Sequence, residues 1–165
     1  AIERIKKDNL FQYPTERQVS RLARACYKRL DALGNDQLVH ELASAPNEIA
    51  KQINLYAVMR YNRLVWEFMI QVIGEKYRNQ DMNFSRKDMN AFFSRLQAQD
   101  DSVAAWSDAT ITKIKSVLVR MLIETGYLDG LKDTTLNPVF LCEELERGIE
   151  ANNDYDALSA FNYFR

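Results

Sequence analysis

Apolar residues recur along this chain at the three-to-four-residue spacing of amphipathic helices, and short polar runs divide the pattern into segments. A first helical stretch ends near Leu10 and Phe11, where Tyr13-Pro14 breaks it. Thr15, with Gln18 three residues on, has the form of a capping box and opens a second helix. That helix runs to about Leu33, where Gly34 supplies a left-handed stop. Asn35 or Asp36 caps a short helix through Leu42, and Ser44-Ala45-Pro46 opens a long one, proline being tolerated in a first turn. From Ile49 to Tyr77 apolar residues occupy nearly every side: Ile53, Tyr56, Ala57, Met59, Leu64, Val65, Trp66, Phe68, Met69, Val72 and Ile73. A helix apolar all round is buried all round, so this segment is expected to form the spine of the core, with a kink near Tyr61-Asn62. Its aromatic residues are read as packing groups.

Arg78 to Asn83 reads as a polar linker. Ser85 and Asp88 form a second capping box, ahead of a helix carrying Met89, Phe92, Phe93 and Leu96. Asp100-Asp101 precedes a short helical turn from Val103 to Trp106, and Ser107 caps a helix from Asp108 to Thr125 that Gly126 stops. Helix, short helix and longer helix with tight polar joints is the spacing of a helix-turn-helix unit. Tyr127-Leu128 and the run Leu136 to Leu141 flank a polar turn around Gly130 and Lys132, forming either a small two-stranded wing or an extended return. Two amphipathic helices, Glu143 to Ala151 and Asp154 to Phe164, close the chain. The expected fold is all-α, a compact helical bundle with helix-turn-helix elements and at most one small β-hairpin or wing near 127–141. An N-terminal helical lobe over 1–79 would hold a basic helix at 15–33 and the spine at 46–78. A helix-turn-helix lobe over 80–165 would pack on the same core.

Composition supports this reading. Five Gly and three Pro in 165 residues are too few for the turns of a β-sandwich or barrel. Cys26 and Cys142 have neither a second Cys nor a His at ligand spacing and read as reduced thiols of a cytoplasmic protein. The most apolar run, Leu64 to Ile73, is too short to span a bilayer and contains Glu67, so no membrane location is expected. The chain begins at Ala1 without Met and already in a helical pattern, so a native N-terminus further upstream is expected. His40 is the only histidine, which excludes a His-based triad or a multi-His metal site, and no Gly-rich phosphate loop is present. Glu143, Glu144 and Glu146 read as a solvated, partly repulsive face. No catalysis, cofactor or metal is expected.

Net charge is only −1, but its distribution is uneven: residues 1–30 carry +5 and residues 126–165 carry −5. On a helical wheel for residues 15–33, Val19, Leu22, Ala23, Cys26, Leu30 and Leu33 point one way. Arg17, Arg21, Arg24 and Lys28 point the other, in a stripe about 16 Å long with no acid on its line. Such a row suits phosphates; the alternatives are a solvated face or pairing with the acidic C-terminal segment. The helix from Asp108 buries Ile111, Ile114, Leu118, Met121 and Leu122 and turns outward Ala109, Thr112, Lys113, Ser116 and Arg120, small and cationic residues of the kind that groove entry requires.

The series Trp106-Ser107-Asp108, Thr110-Ile111, Lys113, Gly126-Tyr127-Leu128 and Leu136-Asn137-Pro138-Val139 resembles the BrxA family, as do the Arg-rich stretch Arg17 to Leu33 and the region Tyr61 to Phe68. BrxA is the small helical core protein of bacteriophage-exclusion (BREX) defence systems, sometimes described as NusB-like. The resemblance implies an all-helical monomer binding double-stranded DNA within a methylation-based phage-exclusion apparatus, alongside other proteins of that system. It also implies a further N-terminal segment. The DNA-facing candidates are then Arg17, Arg21, Arg24, Lys28, Thr112, Lys113, Ser116 and Arg120. Two other readings stand beside it. One is an RNA-binding factor of the antitermination type, for which Phe11, Tyr13 and Tyr27 would supply stacking aromatics. The other is a scaffold that docks defence components through its acidic C-terminal helices.

Overall fold

A computed structural model describes residues 3, 4, 7 and 15–165; the end of the first helix and the Tyr13-Pro14 break lie outside the described residues. The basic segment forms helix α1, Glu16–Ala32. Its N-cap is Thr15, whose hydroxyl oxygen accepts from the Gln18 backbone N–H. Asn35 caps α2, Asp36–Ser44, by accepting from Gln37 and Leu38. Pro46 stands one residue ahead of α3, Asn47–Tyr61, and fixes its entry without a side-chain cap.

The spine is not one continuous α-helix. Asn62 takes an extended conformation, and its side chain accepts from the N–H groups of Leu64 and Val65, starting α4, Arg63–Phe68. The expected kink is therefore a break with its own cap. Beyond α4 the chain widens into a π-helical stretch, Met69–Gly74, before α5, Glu75–Arg78. Most of the burial expected of the spine is present: Ile53, Leu55, Tyr56, Ala57, Met59, Val65, Phe68, Met69, Val72, Ile73 and Tyr77 are buried, while Leu64 and Trp66 are half-buried. Phe68 stacks edge-on against Phe92 and Phe84, and Phe92 against Phe93, so an aromatic row ties the spine to the helix that follows.

That helix, α6 (Arg86–Gln99), opens with the complete Ser85/Asp88 capping box. Asp100 caps the short α7, Asp101–Ala104, and Ser107 caps α8, Asp108–Glu124, so the expected succession of helix, short helix and longer helix is present. Gly126 turns the chain out of α8 in the left-handed region, at φ +84°. No wing forms among the described residues, where the sole β-type pairing is an isolated antiparallel bridge between Asn83 and Thr135. The return segment bonds both to residues 82–84 and back to the residues after α8: Phe84 N–H donates to Thr134 O, Leu136 N–H to Met82 O, and Asn137 N–H to Tyr127 O. Tyr127 is wholly buried, stacks near Tyr77 and donates its hydroxyl to Ala160 O.

Helix α9, Glu143–Ala151, matches its expected bounds. The last segment differs from expectation. It is a 3₁₀ helix, Tyr155–Phe161, in which Ala157 to Phe161 are all buried, so it is an insertion into the core and not an amphipathic surface helix. The reason lies at its contact with the π-helical stretch, where Gly74 lets the Ser159 side chain and backbone approach to a distance that any Cβ would block.

The same C-terminal region holds α1 in place. Arg60 donates from Nε to Ala32 O and from Nη1 to Asp154 and the Tyr56 hydroxyl, while Asn152 donates to Leu33 O and to the same hydroxyl. Carbonyls at the end of α1, left without helical partners, are thereby satisfied by groups from α3 and the α9 end. Burial, with the Asp154 carboxylate beside it, raises the Tyr56 phenol from 10.0 to about 12. Burial likewise raises Tyr77 and Tyr127. A folded-state pKa above the unfolded value stabilises the fold below pH 10 and loses that contribution as pH climbs from 10 towards 12. Unfolding in that window should therefore coincide with a late tyrosinate step at 295 nm, followed with far-ultraviolet circular dichroism. Complete tyrosine ionisation by pH 11 (about one unit above the ordinary phenol value) with full helical signal would contradict it.

Candidate nucleic-acid interface

The stripe on α1 is exposed as the wheel predicts. Val19, Ala23 and Leu33 are buried, Leu22, Cys26 and Leu30 are half-buried, and Arg17, Arg21, Arg24 and Lys28 all face solvent. None of the four has an ion-pair partner among the described residues. Four of the eight acidic residues of 126–165 are engaged elsewhere: Asp154 with Arg60, Glu143 with Arg147, and Glu146 and Glu150 with Arg165. Four like charges thus stand on one ridge without an ion-pair partner among the described residues. In water this repulsion is weak, but a polyanion laid along the ridge would meet all four.

A depression of about 820 Å³ runs along this face, lined by the four cations with Gln18, Ser20, Ala25 and Tyr61. Tyr61 comes from the end of α3, and half of its surface is exposed. Tyr27 is also exposed. Spine aromatics are expected to pack, and Tyr61 departs from that rule because the helix ends beside it.

On α8 the other four candidates, Thr112, Lys113, Ser116 and Arg120, are exposed, while Ile111, Leu118 and Leu122 are buried and Ile114 and Met121 are partly so. Lys115 sets the rotation of the helix: its Nζ donates to Asn90 Oδ1 on α6 at 2.7 Å and lies 5.5 Å from the Phe93 ring centroid. Ser116 donates its hydroxyl back to Thr112 O, leaving the oxygen free to accept. Lys113 and Arg120 have no ion-pair partner among the described residues. Val117, not singled out in the sequence, is exposed at the flank of this face, between Lys113 and Arg120 along the helix.

The corner Tyr61-Asn62-Arg63 lies between α1 and the start of α7. Tyr61 lines the depression along α1, and Arg63 acts electrostatically on Asp100 at the start of α7. Hydrogen bonds from Ser102, helped by the Arg63 charge, hold the Asp100 carboxyl below its ordinary range. Arg63 is bonded to Glu67 one turn on.

These features define a small all-helical protein carrying two separate cationic helix faces and no helix, among the described residues, long and apolar enough to cross a membrane. It belongs to the BrxA family, whose profile matches residues 1–153. A BREX protein BrxA of Bacillus cereus (strain H3081.97) is 37% identical over 130 residues, covering 79% of this chain and 64% of that protein. A BREX protein BrxA of Escherichia coli O9:H4 (strain HS) is 25% identical over 158 residues, covering 95% of this chain and 73% of the relative. The chain thus spans somewhat under two thirds of the Bacillus protein's length. The crystal structure of an uncharacterized protein from Magnetospirillum magneticum shares the fold at a TM-score of 0.78 and 20% identity, covering 95% of this chain and 80% of that one.

Proposed function

We propose that this chain works by binding double-stranded DNA, without catalysis, as an accessory component of a BREX phage-defence system. The observation that carries the reading is the ridge of Arg17, Arg21, Arg24 and Lys28, exposed together and without carboxylate partners among the described residues. Phosphates spaced along a duplex backbone suit such a ridge, and Arg presents a planar fork to each. The second face, on α8, follows a helix and a short helix in the order of a helix-turn-helix unit, with Thr112, Lys113, Ser116 and Arg120 outward. Family membership and relatives named as BREX proteins support the defence role, with other proteins of that system as further partners.

A second reading, single-stranded RNA binding, has one observation in its favour: Tyr27 and Tyr61 are exposed beside the cations, as stacking platforms would be. Competition at fixed salt separates the two. A labelled duplex bound by the full chain should be displaced by unlabelled duplex at least about tenfold more effectively than by single-stranded RNA of equal length, since the ridge matches the duplex's denser charge. The reverse order would favour the RNA reading.

A further inference from the structure

We infer that Val117 is a base-reading residue, contacting thymine methyl groups in the major groove of the bound duplex. The inference rests on the duplex reading above and adds sequence preference to it. Val117 is 56% exposed in the middle of α8, a helix whose other large aliphatic residues are buried or half-buried. A β-branched residue on an open helix face gains nothing from burial and is a slightly worse helix former than alanine.

Its surroundings fit one kind of occupant. Lys113 lies one turn before it and Arg120 one turn after, both exposed and without ion-pair partners among the described residues. Ser116 adds a small exposed hydroxyl about 100° round the helix, at the border of this side, and Ala109, small and exposed, leaves the face shallow towards the N-terminus. Acids stand only at the two ends, Asp108 and Glu124. A single valine between two cations is too small an apolar patch to hold a protein partner. It matches a thymine methyl, which is also a single apolar group flanked by phosphates and displayed only in the major groove. The rotation of α8, pinned by Lys115 against Asn90 and Phe93, keeps this side directed away from the core.

The test uses two duplexes of one A·T-rich sequence, the second with uracil in place of every thymine, which removes the methyl and leaves the hydrogen-bonding edges and phosphates unchanged. In an anisotropy titration of the full chain at fixed salt, the thymine duplex should bind about fourfold more tightly, the factor expected for burying roughly one methyl group. Val117→Ser should bring the two affinities together by weakening the thymine duplex alone, with the salt dependence unaltered. Because the side chain is exposed, the variant's melting curve should overlay that of the parent and exclude misfolding. Equal binding of both duplexes by the parent chain, or a preference that survives in Val117→Ser, overturns the inference and leaves the phosphate-binding reading intact. Binding to neither duplex overturns both.

Discussion

Reversing Arg21 and Arg24 to glutamate together is expected to weaken duplex binding by roughly 60-fold near 0.1 M monovalent salt. Each phosphate contact releases close to one condensed counterion, which at that salt is worth about eightfold, and two lost contacts multiply. The introduced anions repel phosphate and push the loss further. The fold should not suffer. Both arginines are exposed and partner no carboxylate among the described residues. Glutamate is a comparable helix former, and the new residues would face Arg17 and Lys28 one turn away, attractions of about 0.3 kcal/mol each. Fluorescence anisotropy gives the affinity and thermal circular dichroism the stability. Undiminished affinity in a well-folded variant would remove α1 from the interface.

Gly74→Val is expected to lower stability by about 3 kcal/mol, a fall in Tm of roughly 6–12 °C for a domain of this size. A Cβ built on Gly74 would sit 2.5 Å from Oγ, 3.0 Å from Cβ and 3.2 Å from the carbonyl carbon of Ser159. The first contact involves a movable hydroxyl, but Cβ and the carbonyl carbon move only with the 3₁₀ backbone, which is buried from Ala157 to Phe161. Replacing glycine in a helix ordinarily gains up to about 1 kcal/mol of propensity, and the clash outweighs it. The consequence reaches the interface, because the chain just ahead of the 3₁₀ segment carries Asp154 and Asn152, which with Arg60 hold the end of α1. A thermal melt indistinguishable from the parent's would show that the two segments can separate without cost.

Those two elements also mark where the sequence ceases to be readable. Caps at Thr15, Asn35, Ser85 and Ser107 are legible because the groups that bond lie within three residues of one another. The faces of α1 and α8 are legible because helical periodicity decides them once the helix exists. The π-helical stretch and the 3₁₀ segment are not, since each takes its form from the other across more than eighty residues. The Arg60, Tyr56, Asp154 and Asn152 cluster is hidden for the same reason, and so is the bonding of the return segment to residues 82–84. At the candidate interface the eight residues chosen from the wheel are all exposed. Tyr61 and Val117 were missed because an aromatic in an apolar spine and a valine in a helix ordinarily report burial, and only coordinates reveal that these two do not.

In the proposed function a slightly anionic protein meets a polyanion through cations gathered on exposed helix ridges. Its most direct test is the affinity of the unaltered chain for a duplex measured across a range of salt. Six contacts, from Arg17, Arg21, Arg24, Lys28, Lys113 and Arg120, predict a linear fall of log K with log salt with a slope near −5. A slope indistinguishable from zero, or no measurable binding even at low salt, would contradict it.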